Sequence, residues 1–258
     1  MSQEGLFPPD AVIRRVDGEL VLLLGGGRAL LLQLAHPMVA RGVAQHSDFQ
    51  GDPLARLQRT LMATYTVVFG TKEQADRATA QVGAVHERVT GVGYRANDPE
   101  LLLWVHATLV DTALRVHRRF LRPLVPADAE RYYQESTKVA QAFGLPRKDQ
   151  PQDLAAFRSY MRKMVGELSV TLTDESRRLA RRVLHPRLPL VTAPVVAGVR
   201  ELTVGLLPPP LRRAYGLRWD PPRQLALDAT ALAIRASLPR VPPVLRRVPD
   251  RAVWLVAS

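Results

Sequence analysis

An all-α fold is what this sequence predicts, and three observations carry the prediction. Apolar residues recur at spacings of three and four along nearly the whole chain, the period of a helix with one buried face. Alternating β-branched runs closed by Asn-Gly or Asp-Gly, which would mark strands and hairpins, are scarce. Glycine, proline and N-cap residues punctuate the apolar pattern where helices would stop and start. The expected architecture is one globular multi-helix bundle over residues 1–258, with a proline-rich C-terminal segment packed on it.

Each element has a local reason. Gly25-Gly26-Gly27 precedes an apolar helix from about Arg28, which must stop or kink at His36-Pro37. These glycines lack the G-x-G-x-x-G spacing and the preceding strand of a dinucleotide site, so they read as a loop and helix start. Asp52-Pro53 supplies an N-cap and a first-turn proline for a helix to about Phe69, ended by Gly70. Thr71 and Gln74 form a capping box for the next helix, which closes at Gly91. Asp98-Pro99 opens a long helix to about Phe120. Further helices run from about Ala127 to Phe143, from Asp153 to about Leu168, and from Asp174 to Leu184. Beyond residue 185 prolines crowd in, and the expectation is shorter helices joined by extended turns.

Composition narrows the chemistry. With 258 residues and 47% apolar content the chain buries a sizeable core. It has no cysteine, which excludes disulfides, thiolate zinc sites, iron–sulfur clusters and cysteine-ligated haem. The N-terminus carries no basic-then-apolar signal pattern, and no stretch approaches the ~18 apolar residues of a spanning helix, so a cytoplasmic protein is expected. Charge is uneven: residues 1–110 carry 10 Lys+Arg against 11 Asp+Glu, and residues 111–258 carry 26 against 13. A basic half permits peripheral contact with an anionic membrane surface. Nucleic acid is not expected as a partner, because zinc-finger spacing, an aromatic-rich sheet motif and an isolated basic arm are all missing.

Four of the six histidines lie between His36 and His106 in apolar surroundings. His86 follows Val82 by four and precedes Val89 by three, on or beside a stripe of Ala75, Ala78, Val82, Val85 and Val89. His106 sits among Leu102, Leu103, Leu109 and Val110 on a helix apolar nearly all round. Each is either a hydrogen-bonded interior histidine or a neutral imidazole offered to a metal. Upstream, Leu54, Leu57, Leu61, Tyr65 and Val68 form one stripe of a helix, while Arg56, Arg59 and Thr60 lie opposite and continue into Ala63 and Val67. That second face is either surface charge or the wall of a pocket in which the arginines hold an anionic group or polarise bound oxygen. His36 and His46 lie ten apart, unlike an i, i+4 metal pair. His46-Ser47-Asp48 has triad residue types but no nucleophile elbow, so a hydrolase is discounted.

The segments G-G-G-R-A-L-L-L-Q-L-A-H-P, D-P-L-A-R-L-Q-R-T, V-H-E-R-V-T-G and Y-R-A-N-D-P-E-L-L-L-W-V-H-A-T-L-V-D together resemble the family that groups rubber oxygenases (latex-clearing proteins) with MpaB-type oxygenases. The resemblance spans roughly residues 15–240, with 25–115 its specific part. It implies an all-α oxygenase that binds a b-type haem through one histidine and uses dioxygen on a hydrophobic, isoprenoid-like substrate. Carried over by position, it implies His86 as the haem-iron ligand and Arg56, Arg59 and Thr60 as the distal run, with His106 lining the cofactor pocket. Arg59 stands where that family carries a lysine, and a guanidinium does not ligate iron as an amine does. The alternative is a haem-free hydrophobic-ligand or lipid-binding bundle of the same fold.

Overall fold

The computed structural model describes residues 4–46, 53–186 and 189–248, with the side chains of residues 53–57 and 190 outside the description. The fold is all-α, with one two-stranded hairpin among the described residues. In chain order the helices are α1 (Val12–Asp17), α2 (Gly26–Ala35), α3 (Pro37–His46), α4 (Pro53–Phe69), α5 (Lys72–Arg88) and α6 (Pro99–Phe120), then α7 (Pro126–Ala142), α8 (Leu154–Thr171) and α9 (Asp174–Leu184). The C-terminal part contributes α10 (Ala193–Leu206), α11 (Pro209–Ala214), α12 (Pro221–Ser237) and α13 (Pro243–Arg246).

The α2 helix is the centre. Its sequence is apolar on every side, so it must be covered on every side, and α3, α6, α9 and α10 all pack on it. The two polar side chains it buries are satisfied internally. Arg28 donates from Nε to the Leu206 carbonyl (2.9 Å) and from Nη1 to Thr112 Oγ1 (2.6 Å), and pairs through Nη2 with Asp111. Gln33 reaches Thr108 Oγ1 at 3.3 Å.

Pro37 ends α2 for a specific reason. It has no N–H for the Gln33 carbonyl, which instead accepts from the His36 N–H at 3.2 Å. The Leu32 carbonyl thereby loses its helical donor, and the Trp104 indole of α6 supplies one at 3.1 Å. The chain turns through 103° between Leu20–Ala35 and Pro37–His46. These two segments pass a length-and-composition test for a membrane span only as that bent pair, and no single described helix is long and apolar enough to cross a membrane.

The triple glycine is not a loop. A six-residue 3₁₀ helix, Leu20–Gly25, runs directly into α2. A Cβ on Gly25 would lie 2.4 Å from Thr112 Cγ2 of α6, and one on Gly27 would lie 2.2 Å from Thr203 Oγ1 of α10. The glycines let three helices approach one another; the expected helix start is there, at Gly26, but a 3₁₀ helix stands in place of the expected loop.

The Thr71–Gln74 capping box forms as expected: Gln74 N–H donates to Thr71 Oγ1 (3.3 Å) and Thr71 N–H to Gln74 Oε1 (2.8 Å). Asp52, expected to cap α4, lies outside the described residues. The α5 helix ends at Arg88, before Gly91, because Thr90–Gly91 (β1) pairs antiparallel with Tyr94–Arg95 (β2) across a turn with Gly93 at φ 82°. The proline-rich tail has the expected short helices in α11 and α13, six and four residues long, but α10 and α12 reach 14 and 17. Pro194, Pro209, Pro210, Pro221, Pro222 and Pro243 sit in first turns, where a missing N–H costs nothing. The tail anchors itself through Leu206, Leu207 and Leu211, all at most 1% exposed.

Candidate functional site

The R-L-Q-R-T run lies on α4 and His86 on α5, and the two helices pack against each other across the Gly70-Thr71 connection. At about 1.5 Å per residue, Arg56 lies ~21 Å along α4 before that connection and His86 ~22 Å along α5 after it. Thr60 is half-buried on the same face as the half-buried Ala63 and the buried Val67, whereas Arg59 is exposed. The Arg56 side chain lies outside the described residues.

The α5 stripe is less covered than its apolar spacing led one to expect. Ala75 is buried and Ala78, Val82, His86 and Val89 are half-buried, but Val85 is 50% exposed. The cause is tertiary: α5 packs chiefly on α4, with a smaller contact on α7, and forms the outer arm of the hairpin. His86 occupies its last turn, where its carbonyl accepts the Val89 N–H at 3.1 Å.

His106 belongs to a different environment. On α6, Trp104, Ala107, Thr108 and Val110 are buried, while Leu102, Leu103, Val105, His106 and Leu109 are half-buried. The Nε2 atom of His106 is enclosed and has no hydrogen-bond partner. Burial lowers its pKa to about 4, against the opposing pull of the Ser136 backbone on α7, so the ring is a neutral imidazole at physiological pH. The α7 helix is thus a neighbour shared by His106 and by the α5 arm.

His36 and His46 do not converge. His36 Nδ1 accepts the Met38 N–H at 3.3 Å and Nε2 lies 3.9 Å from Glu100, so this ring caps the bend at Pro37; burial lowers its pKa against the pull of Glu100. His46 Nε2 contacts the Thr90 carbonyl at 2.8 Å and meets the Tyr94 ring edge-on. Ser47 and Asp48 lie outside the described residues. Among the described residues no group of three or more His, Asp or Glu side chains could hold a bare metal ion. A prosthetic group held through one imidazole needs no such group. The residues present fit one: His106 Nε2 is an orphaned buried nitrogen, His86 is a second half-buried imidazole, and the half-buried side chains beside both are aliphatic. Arg59 does not fit as an iron ligand, being a guanidinium and exposed.

Two further buried polar groups escaped the sequence reading. Asp17 is 8% exposed, and Oδ1 accepts the Tyr132 hydroxyl at 2.9 Å. Burial pushes its carboxyl up to about 7 against that hydrogen bond, and its charge helps to raise Tyr65 on α4. The signal was present: Asp17 continues the face of Val12, Ile13 and Val16. Tyr160 on α8 has an enclosed, unpartnered hydroxyl, which nothing in its sequence neighbourhood marks.

Residues 13–236 match the family described as "ER-bound oxygenase mpaB/B'/Rubber oxygenase, catalytic domain". Two mycobacterial proteins are similar to the chain: uncharacterized protein Mb2261 of Mycobacterium bovis and uncharacterized protein Rv2237 of Mycobacterium tuberculosis. Each is 28% identical over 241 residues, covering 88% of this chain and 89% of the relative.

Proposed function

The chain belongs to the ER-bound oxygenase mpaB/B′ and rubber oxygenase catalytic-domain family, and from that premise we propose a haem-dependent oxygenase that uses dioxygen on a small hydrophobic substrate. The observation that carries the reading is the α4–α5 hairpin. The R-L-Q-R-T run lies on one of these two packed helices and His86 on the other, which supports the reading. His86 would hold a b-type haem through a ring nitrogen, and the haem when bound supplies the redox chemistry toward dioxygen.

The chain's own groups have separable tasks. The Arg56 cation and the Thr60 hydroxyl would be the chain's hydrogen-bond donors toward that haem. Arg59, exposed on α4, would stand at the edge of the same site. Leu102, Val105 and Leu109 offer an apolar wall that excludes water, and His106 places a neutral imidazole within that wall.

The test is an absorption spectrum of protein purified from haem-supplemented cells, with iron quantified. A Soret band with stoichiometric iron is expected, and His86→Ala is expected to abolish it. Absence of the band, before and after haemin addition, refutes the reading. A band that survives His86→Ala and vanishes in His106→Ala moves the ligand to α6. A second reading, a haem-free hydrophobic-ligand or lipid-binding bundle, draws on Arg59 standing exposed at the lysine position. Co-purified lipid without iron favours it, and stoichiometric iron ends it. We also propose a cytoplasmic protein whose basic half meets anionic membrane surfaces peripherally. Vesicle binding that does not weaken with rising salt would refute that contact.

A further inference from the structure

Among the described residues, the half-buried arginines have partners, with one exception. They donate to carbonyls, as Arg14 does to Val68, pair with carboxylates, as Arg119 does with Asp228, or lie over a ring, as Arg212 does on Trp219. Arg115 on α6 is half-buried and has no hydrogen bond, ion pair or ring contact among the described residues. A cation drawn partly out of water without a counter-charge is costly.

The reason is visible on α6 itself. Arg115 lies four after Asp111, three before Arg118 and four before Arg119, so the four share one face of the helix. Asp111 has the right spacing to pair with Arg115, but its Oδ2 is held by Arg28 of α2. Arg28 is 2% exposed and needs that counter-charge more. The next carboxylate, Asp228 of α12, is held by Arg119 and by Gln224 at 2.9 Å. Arg118 is exposed, and its guanidinium also has no hydrogen bond or ion pair among the described residues. Burial and the Arg28, Arg118 and Arg119 cations together lower the pKa of Arg115, opposed by Asp111 alone.

Two guanidiniums thus stand one helical turn apart with both nearby carboxylates taken. The negative end of α6 would oppose an anion there, but Arg235 of α12 covers it, donating from Nη2 to the Arg118 and Arg119 carbonyls at 3.0 and 2.9 Å. The chemistry of the pair selects the anion. Each guanidinium is a planar fork of N–H donors, and a carboxylate, with two oxygens and one charge, saturates a single fork. A phosphate group has at least three acceptor oxygens and up to two charges, enough for both forks.

We propose that Arg115 and Arg118, on the C-terminal half of α6, bind a phosphate group. That group belongs either to a soluble phosphate compound or to an anionic lipid head. Binding here is independent of the haem reading, and loss of either leaves the other standing.

The test is calorimetric titration of the full chain at low ionic strength with inorganic phosphate and with acetate. Phosphate is expected to bind about tenfold or more tightly than acetate, and Arg115→Gln and Arg118→Gln each to lower its affinity about tenfold. Arg181→Gln/Arg182→Gln, which removes exposed arginines of α9, is expected to leave it unchanged. Thermal unfolding adds a second readout. Without phosphate, Arg115→Gln is expected to melt no lower than the unsubstituted chain, because it removes repulsion. Added phosphate is expected to raise the Tm of the unsubstituted chain and not that of the variant. Arg118→Gln, at an exposed position, carries the same comparison if Arg115→Gln fails to fold. Equal binding of phosphate and acetate overturns the proposal, as does an equal loss in the α9 variant or a phosphate-induced rise that survives in both α6 variants. Phosphatidylcholine vesicles with and without phosphatidic acid assign the source. Binding to phosphatidic acid that depends on Arg115 supports a lipid head, and vesicle binding indifferent to Arg115, beside Arg115-dependent phosphate binding, supports a soluble compound.

Discussion

Replacing Asp17 by Asn tests the buried acid with a magnitude that follows from its burial. An unfolded aspartate ionises near pH 3.8, whereas folding holds the Asp17 proton up to about pH 7. Between those values the folded chain binds the extra proton, so stability falls as pH rises, and above about pH 7 the loss is complete. At ~1.36 kcal/mol per pH unit this one group makes the fold about 4 kcal/mol less stable at pH 8 than at pH 3. Asparagine keeps an acceptor for the Tyr132 hydroxyl and removes the titration. The stability gap in favour of Asp17→Asn is therefore expected to widen by about 2.7 kcal/mol between pH 5 and pH 8. Equilibrium urea unfolding at pH 5, 6, 7 and 8 on both proteins measures it. A gap that stays constant over that range refutes the argument that Asp17 is desolvated between α1 and α7.

Other outcomes follow from the contacts of α2. Gly27→Ala drives a methyl group into Thr203 Oγ1 and is expected to cost about 1–3 kcal/mol in urea unfolding, with part recovered in a Gly27→Ala/Thr203→Ala double variant. Trp104→Phe leaves the Leu32 carbonyl without its donor and is expected to cost roughly 1–3 kcal/mol by the same assay. Thr71→Ala removes the capping box of α5 for about 1 kcal/mol, measured as loss of thermal stability.

What the sequence made legible was local. Thr71 with Gln74 caps α5, and the helix starts expected at Asp153 and Asp174 fall at the N-cap of α8 and the first residue of α9, so the cue and its effect lie within a few residues. Proline misled in the tail because its effect depends on position: it breaks a helix interior but starts a first turn, as in α10 to α13. Gly25 and Gly27 read as a loop because their partners, Thr112 and Thr203, are distant in sequence and leave no local trace. The candidate site divides the same way. Apolar spacing nominated His86 and His106 alike, but whether a stripe is covered depends on which helices meet it. The α5 stripe lies on an outer arm with Val85 half exposed, whereas His106 lies against α7 with an enclosed nitrogen.

The indole of Trp104 on the Leu32 carbonyl has a consequence for how the protein opens. Because Pro37 withholds the helical donor, the end of α2 cannot complete its hydrogen bonds until α6 has docked. The two helices therefore have no separate partly open states of low energy near this crossing. Amides around Leu31 to Ala35 and around Trp104 are expected to exchange with solvent together, as one cooperative unit, although some seventy residues of chain lie between them.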